Sequence, residues 1–319
     1  MYLADIKPKN VINFLRGFRR TAVFAVTPRC NCRCVMCGMW EKPKQHISLS
    51  DTKYVIDFLV KNRFLILYFT GGEPTLHPDI AEIVGYASSK GLITTMTSNG
   101  TAPPKTMERL RESGLQSISI SLDHYDSQRC ETIRGVKEIM RKQIKSLMYA
   151  NTLGLRPYAL TYLGPEISRD GVGKLVKYVN FELSLPWGFC YPTVAKNSFT
   201  LKQERQMQTD LLNALHTILY LKKSHLGNIT NTLAYIEDAI RHAENKPTTY
   251  PCLAGYAVVY IDWLGDVYPC FIRGKLFNIF NDEVCFKRFN CDLCLANCFR
   301  EPSYLSKLSF TFALKETFS

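Results

Sequence analysis

Four cysteines fall within eight residues, Cys30-Asn31-Cys32-Arg33-Cys34-Val35-Met36-Cys37, directly after a short apolar run at residues 22–26. Thiols crowded this closely, in a chain with no export signal at its N-terminus, point to metal ligation rather than to disulfides. Taken as Cys30, Cys34 and Cys37, the spacing is C-x3-C-x2-C. That pattern offers three thiolates to a cubane iron–sulfur cluster and leaves the fourth iron without a protein ligand, open to chemistry. A zinc knuckle or a plain electron-transfer site uses the same ligands, and three cysteines alone leave both readings open.

Around this loop, strand-like runs alternate with helix-period segments up to about Thr193. The spacing predicts strands at 22–26, 66–70, 93–97, 117–122, 157–162 and 188–193, with helices between them at 51–61, 79–89 and 106–113, for instance. Six βα units in succession imply an α/β fold with a parallel sheet. Right-handed crossovers curl such a sheet towards a barrel whose functional loops leave the carboxyl ends of the strands. The cysteine loop leaves the first of those ends. The second carries Thr70-Gly71-Gly72-Glu73-Pro74, where two glycines let backbone approach a ligand closely. The third carries Thr97-Ser98-Asn99-Gly100 and the fourth Ser119-Ile120-Ser121-Leu122-Asp123, short polar side chains that can hydrogen-bond a ribose or serve as turn caps.

These motifs, in this order, resemble those of the radical SAM enzymes, and the resemblance extends over residues 22–300. It implies a partial (β/α)6 barrel in which Cys30, Cys34 and Cys37 hold a [4Fe-4S] cluster, its open iron chelated by the amino and carboxylate groups of S-adenosylmethionine. It further implies that the backbone of Gly71, Gly72, Glu73 and Pro74 meets the methionyl amino group, with Glu73 holding the loop or that amino group. Asn99 and Ser121 would face the ribose or methionyl part, Arg134 the carboxylate, and Met36 the adenine. A thioether suits that last place, where the family carries an apolar or aromatic side chain. The implied activity is reductive cleavage of S-adenosylmethionine to a 5'-deoxyadenosyl radical, which abstracts hydrogen from, or adds to, an organic substrate. The hard chemistry belongs to the cofactor. An electron donor such as flavodoxin or ferredoxin is the implied partner.

A second cysteine set lies towards the carboxyl end: Cys252, Cys270, Cys291, Cys294 and Cys298, spaced C-x12-G-x4-C and then C-x2-C-x3-C. Alternating Tyr256, Val258, Tyr260 and Asp262 predict a strand that Leu264-Gly265-Asp266 turns into a hairpin, so a small cysteine-rich domain starts near residue 250. This segment resembles the SPASM and Twitch extensions of radical SAM enzymes. A full SPASM domain carries seven cysteines with a C-x2-C-x5-C-x3-C run; here the run is shorter, no cysteine follows it, and Cys285 lies upstream. The resemblance therefore implies one auxiliary [4Fe-4S] cluster on Cys252, Cys270, Cys291 and Cys294, with Cys298 competing for the fourth place. Zinc suits four thiolates equally well by ligand chemistry. Cys32, Cys130 and Cys190 remain as small buried residues, although Cys190, on the last barrel strand, is placed to give a hydrogen atom to a product radical.

The chain divides by composition into a basic amphipathic segment (1–21), the barrel (22–200), a helical connection (201–249), the cysteine-rich domain (250–300) and a tail (301–319). In the first segment Val11, Ile12, Leu15 and Phe18 recur at helical spacing among Lys7, Lys9, Arg16, Arg19 and Arg20. That pattern fits a helix closing the barrel bottom or one lying on a membrane surface. No run reaches the apolar length of a membrane span. A cytoplasmic location follows from oxygen-sensitive thiol clusters, with peripheral membrane contact as a variant. The excess of 40 Lys and Arg over 28 Asp and Glu gives +12. It raises the contrasting class of a zinc-containing nucleic-acid-binding protein, but no aromatic-interleaved basic motif supports one, so no nucleic acid is expected. The first cluster cysteine at position 30 leaves no room for a leader-binding domain before it. That favours a lipid, isoprenoid or other small-molecule substrate over peptide modification as in the maturation of ribosomally made peptides.

Overall fold

The computed structural model describes residues 10, 12, 13, 16, 20–169, 171–193, 208–289 and 291–305. Most of the basic N-terminal segment, the start of the helical connection and the tail after 305 lie outside the described residues.

Six strands follow one another in parallel: β1 (Arg20–Thr27), β2 (Phe64–Gly71), β3 (Ile93–Ser98), β4 (Ser117–Ser121), β5 (Pro157–Tyr162) and β6 (Trp187–Cys190). Each pairs with its predecessor in sequence, so every crossover steps the same way and rolls the sheet into a partial barrel. The roll stays open, with β6 at one edge of the sheet. β1 is buried from Thr21 to Thr27, as a parallel strand must be when helices cover one face and the barrel interior lies on the other. β6 ends at Cys190, short of the expected 193, because Pro192 has no N–H to continue the ladder.

The helices pack outside. α1 (Leu49–Lys61) starts where Ser48 accepts a hydrogen bond from the Asp51 N–H at 3.1 Å, and it buries Thr52, Val55, Ile56 and Leu59 along one stripe. α2 (Ile80–Ser89), α3 (Pro104–Glu112), α4 (Ser127–Arg134), α5 (Ile139–Thr152), α6 (Pro165–Ser168) and α7 (Val172–Lys177) complete the crossovers. The helical connection comprises two helices, α8 (Gln208–Lys223) and α9 (Leu233–Ala243). They are parted by a turn in which His225 takes a positive φ of 53°, and Thr232 caps the second. The stripe read from sequence holds its inner edge, Leu211, Leu215 and Ile218, in the core.

The cysteine-rich segment joins the same sheet. β7 (Val258–Ile261) lies parallel to β1, with Thr21 opposite Val258 and Phe24 opposite Ile261. β8 (Asp266–Tyr268) and β9 (Phe277–Asn278) then extend it antiparallel, so the expected hairpin is present as a continuation of the barrel sheet. The described chain closes with α10 (Asn297–Leu305), which contains Pro302. No helix among the described residues is long and apolar enough to cross a membrane.

Candidate active site

The loops after β1 and β2 are bound to each other before any ligand is considered. The Gly72 N–H donates to the Thr27 carbonyl at 2.8 Å, and the Glu73 N–H to the Arg29 carbonyl at 2.7 Å. A Cβ on Gly71, whose φ is 133°, would lie 2.2 Å from the Thr27 oxygen, and one on Gly72 only 2.3 Å from the Arg29 oxygen. Both glycines therefore serve a close approach of the chain to itself, and both also line the cavity at these strand ends. Glu73 is fully buried, and its carboxylate accepts from the Asn99 N–H (2.7 Å), Ser98 Oγ (2.9 Å), Thr75 Oγ1 (2.6 Å) and the Thr75 N–H (3.2 Å). Burial raises its pKa despite these donors. Of the two roles read for Glu73, the geometry favours holding the loop: it fastens the β2 end to the β3 end, and Pro74 starts a buried turn beside it.

These strand ends surround a cavity of about 210 Å³. Cys30, Cys32, Cys34 and Cys37 line one side with Met36, Gly71 and Gly72; Asn99, Ser121 and Arg134 line it from the neighbouring strand ends and α4. Asn99 is tied to the cysteine loop, its Nδ2 donating to Asn31 Oδ1 at 2.7 Å and to Cys32 Sγ at 3.2 Å. The cysteine loop also pairs with the end of α4, where the Arg33 N–H meets the Arg134 carbonyl (3.0 Å) and the Val35 N–H the Ile133 carbonyl (2.9 Å). That approach needs Gly135, left-handed at φ 64°, because a Cβ there would lie 2.9 Å from the Arg33 oxygen. Arg134 forms a 2.5 Å ion pair with Asp123 and points its Nη1 at Cys34 Sγ at 3.6 Å. Asp123 is thus a site residue to which sequence gave no role; the Asp–Arg separation across a strand end and a helix carried no signal.

The thiols are not equivalent. Cys34 is lowered to about 6, chiefly by a hydrogen bond from Cys32 and with help from Arg134, and Cys30 is lowered by the same neighbour. Cys32 sits between them as the protonated member, and burial pushes Cys37 up to about 12.

In the carboxyl-terminal set, the Cys252 N–H donates to the Cys291 carbonyl at 3.0 Å. Cys291 is lowered to about 5, first by a hydrogen bond from the Cys252 thiol and then by Arg273. Cys270 and Cys294 lie within electrostatic reach of Cys291, each raised by burial. Beside them Arg300 is fully buried: its Nη1 reaches the Cys291 carbonyl at 3.2 Å, while Nε and Nη2 have no hydrogen-bond partner. Cys298 lies within electrostatic reach of Cys294 and Cys270 and also lines the main cavity with Cys190, and Cys285 is exposed. No three Cys, His, Asp or Glu side chains among the described residues converge on a point that would hold a single metal ion.

Residues 24–179, which include the cysteine loop, the glycine loop and the ends of β3 and β4, match the model of the radical SAM superfamily. This part of the chain is a radical SAM domain. An AdoMet-dependent heme synthase of Methanosarcina barkeri is 24% identical over 79% of this chain and 76% of its own length. A GTP 3',8-cyclase of Chlorobaculum tepidum is 31% identical over 48% of each. Against several other curated relatives the match spans about a third to a half of their length. Among solved structures, SuiB of Streptococcus suis bound to S-adenosylmethionine superposes with a TM-score of 0.64 at 18% identity, covering 85% of this chain and 67% of that one. This chain shares that open, mainly parallel α/β sheet and adds a cysteine-rich carboxyl end, and enzymes of the radical SAM family use S-adenosylmethionine and a [4Fe-4S] cluster. The donor set fits: three thiols spread around one end of a cavity suit a body larger than a single ion. The carboxyl-terminal four fit an anionic cluster as well, because the buried Arg300 guanidinium, which forms no ion pair with a carboxylate among the described residues, calls for a counter-charge.

Proposed function

We propose that this radical SAM enzyme acts on a compact, largely uncharged organic molecule with an apolar body. The observation that carries this reading is the charge of the cavity. Arg134 is the one cation among its described lining residues, and Asp123 already neutralises it. A triphosphate or a polycarboxylate would find no spare counter-charge there, although relatives named as GTP cyclases match over about half their length. The remaining walls carry no charge among the described residues: apolar Val23, Met39, Trp40, Leu160 and Phe271 stand beside neutral polar side chains that include Tyr68, Thr97, Tyr162, Thr193 and Asn297. A lipid, an isoprenoid or the apolar side chain of a peptide would each meet the same walls.

Cys30, Cys34 and Cys37 would hold the [4Fe-4S] cluster, with Met36, Gly71, Gly72, Asn99 and Ser121 around the S-adenosylmethionine. Bound there, the pair would supply a 5'-deoxyadenosyl radical able to take hydrogen from an unactivated carbon. The protein's own part is to keep that step dry and aimed. Trp40, Met39 and Phe271 exclude water, the Asp123–Arg134 pair fixes the cysteine loop against α4, and Glu73 fixes the glycine loop against β3. Cys252, Cys270, Cys291 and Cys294 would hold an auxiliary cluster with Arg300 as its counter-charge. A flavin or iron–sulfur protein would supply electrons.

The test is to partition a metabolite extract between organic and aqueous phases and to ask which accelerates 5'-deoxyadenosine formation by the reduced enzyme. Stimulation should follow the organic phase, with GTP inert at millimolar concentration. Stimulation confined to the anionic aqueous fraction would overturn the reading.

A further inference from the structure

Between β9 and the carboxyl-terminal cysteine loop, the segment Cys285-Phe286-Lys287-Arg288-Phe289 interleaves two cations with two aromatic rings and carries no acid. It is fastened to the turn before β7, where the Lys287 N–H donates to the Gly255 carbonyl at 3.1 Å. Gly255, at φ 87°, permits this approach, since a Cβ there would lie 2.3 Å from the Lys287 oxygen. Tyr256 is thereby brought beside the segment. The guanidinium groups of Arg20 and Arg288 lie 4.4 and 5.4 Å from the centre of its ring, and the charged ends of Arg273 and Lys287 lie 4.4 and 5.8 Å from that of Phe289. Four cations from three distant stretches are held over two rings, which positions their charge without neutralising it. Tyr256, Lys287 and Arg288 are exposed, and neither Lys287 nor Arg288 pairs with a carboxylate among the described residues. Lys275, two residues beyond Arg273, does pair, with Asp266 at 3.2 Å. The patch ends on a thiol: Arg273 also hydrogen-bonds Cys291. Cys252 and Cys270 are buried, Cys291 and Cys294 are half-buried, and Leu293 between the latter two is 63% exposed beside the exposed Asp292. The solvent-facing edge of this thiol set is an apolar tip flanked by cations.

We propose that this face docks an acidic one-electron carrier protein, such as a flavodoxin, which passes its electron in beside Cys291. The inference rests on the auxiliary cluster proposed above. Charge complementarity selects the partner: Arg20, Arg273, Lys287 and Arg288 attract an acidic surface and steer its approach. The small apolar tip at Leu293 suits a brief encounter, because redox partners bury little area and part quickly. The thiols make that partner a redox protein rather than another polyanion. One electron leaves the carrier's reduced flavin and is gained by the centre that the four thiolates hold, and no bond forms or breaks on this chain. Arg273 spans the interface, one cation touching both the outer ring of Phe289 and the half-buried thiol.

The test isolates the carboxyl-terminal centre by replacing Cys30, Cys34 and Cys37 with alanine in the full chain. After anaerobic iron loading, this parent is mixed with reduced flavodoxin in stopped flow, and the bleaching of its remaining iron–sulfur absorption is timed. Lys287→Glu with Arg288→Glu should slow the bleaching about tenfold or more at low salt, and the difference should shrink as salt is raised. Lys42→Glu with Lys44→Glu, just after the first cysteine loop, should leave the rate unchanged. Dithionite is too small to need a docking face and should bleach all three proteins alike, which shows that the centre is intact in each. Equal rates with flavodoxin for the Lys287→Glu, Arg288→Glu protein and its parent would overturn the inference, as would slowing by the Lys42→Glu, Lys44→Glu pair alone. A single-stranded oligonucleotide that binds the parent through Lys287 and Arg288 while flavodoxin does not would also overturn it, making the face a nucleic-acid surface. If the parent shows no iron–sulfur absorption at all, the auxiliary cluster itself fails and takes this inference with it.

Discussion

Gly72 has a structural duty besides its place in the cavity wall. Its N–H and its missing Cβ hold the β2 loop against the strand that leads into the cysteines, so Gly72→Ala forces two backbones apart. The substitution should cost about 1–3 kcal/mol in a denaturant melt and lower iron loading at Cys30, Cys34 and Cys37. Glu73→Gln puts an NH2 where Ser98, Thr75 and Asn99 all donate, and should cost about 1.5–3 kcal/mol by the same melt. Arg300 gives a prediction with a change of sign. In iron-free protein Arg300→Met removes a buried charge that has no carboxylate partner among the described residues and should stabilise by about 1–4 kcal/mol; in iron-loaded protein it removes the counter-charge of the cluster and should destabilise. Destabilisation in both states would refute the pairing of Arg300 with an anionic centre. The cysteines and glycines were legible in the sequence because their spacing is local. Asp123 and Arg300 were not, since a lone carboxylate and a lone guanidinium declare their partners only once distant segments meet.

At the scale of elements, the six barrel strands could be counted from sequence because each is a short apolar run bounded by a turn. The shortening of β6 turns on Pro192, and the break between α8 and α9 on a left-handed His225, both of which periodicity overlooks. The partner of β7 was beyond reach: alternation in 256–262 announces a strand, but not that it lies beside β1. That pairing gives the cysteine-rich segment a structural duty. A chain ending at residue 249 would leave β1 an open edge, with Ala22 to Val26 stripped of one neighbour, an aggregation-prone surface. Such a chain should be insoluble, or at best fail to unfold cooperatively. A soluble truncation with the wild-type denaturation midpoint would show that the barrel is independent of β7.

For the whole molecule, the first cysteine set lines the cavity, Cys252, Cys270, Cys291 and Cys294 lie outside its lining on the segment that β7 joins to β1, and iron should follow both sets. Fully loaded enzyme should contain about eight iron atoms per chain, and substitution of Cys30, Cys34 and Cys37 together should halve that. Loss of all iron–sulfur absorption in the triple variant would leave zinc, or nothing, at the carboxyl-terminal thiols. The central claim is that the loop after β1 is where S-adenosylmethionine is opened by one electron. The measurement that reaches it most directly is 5'-deoxyadenosine formed under dithionite by anaerobically reconstituted enzyme, compared with Cys30→Ala, Cys34→Ala, Cys37→Ala and Cys32→Ala. The wild type and Cys32→Ala should form it and the other three should not; normal formation by any one of those three would contradict the assignment.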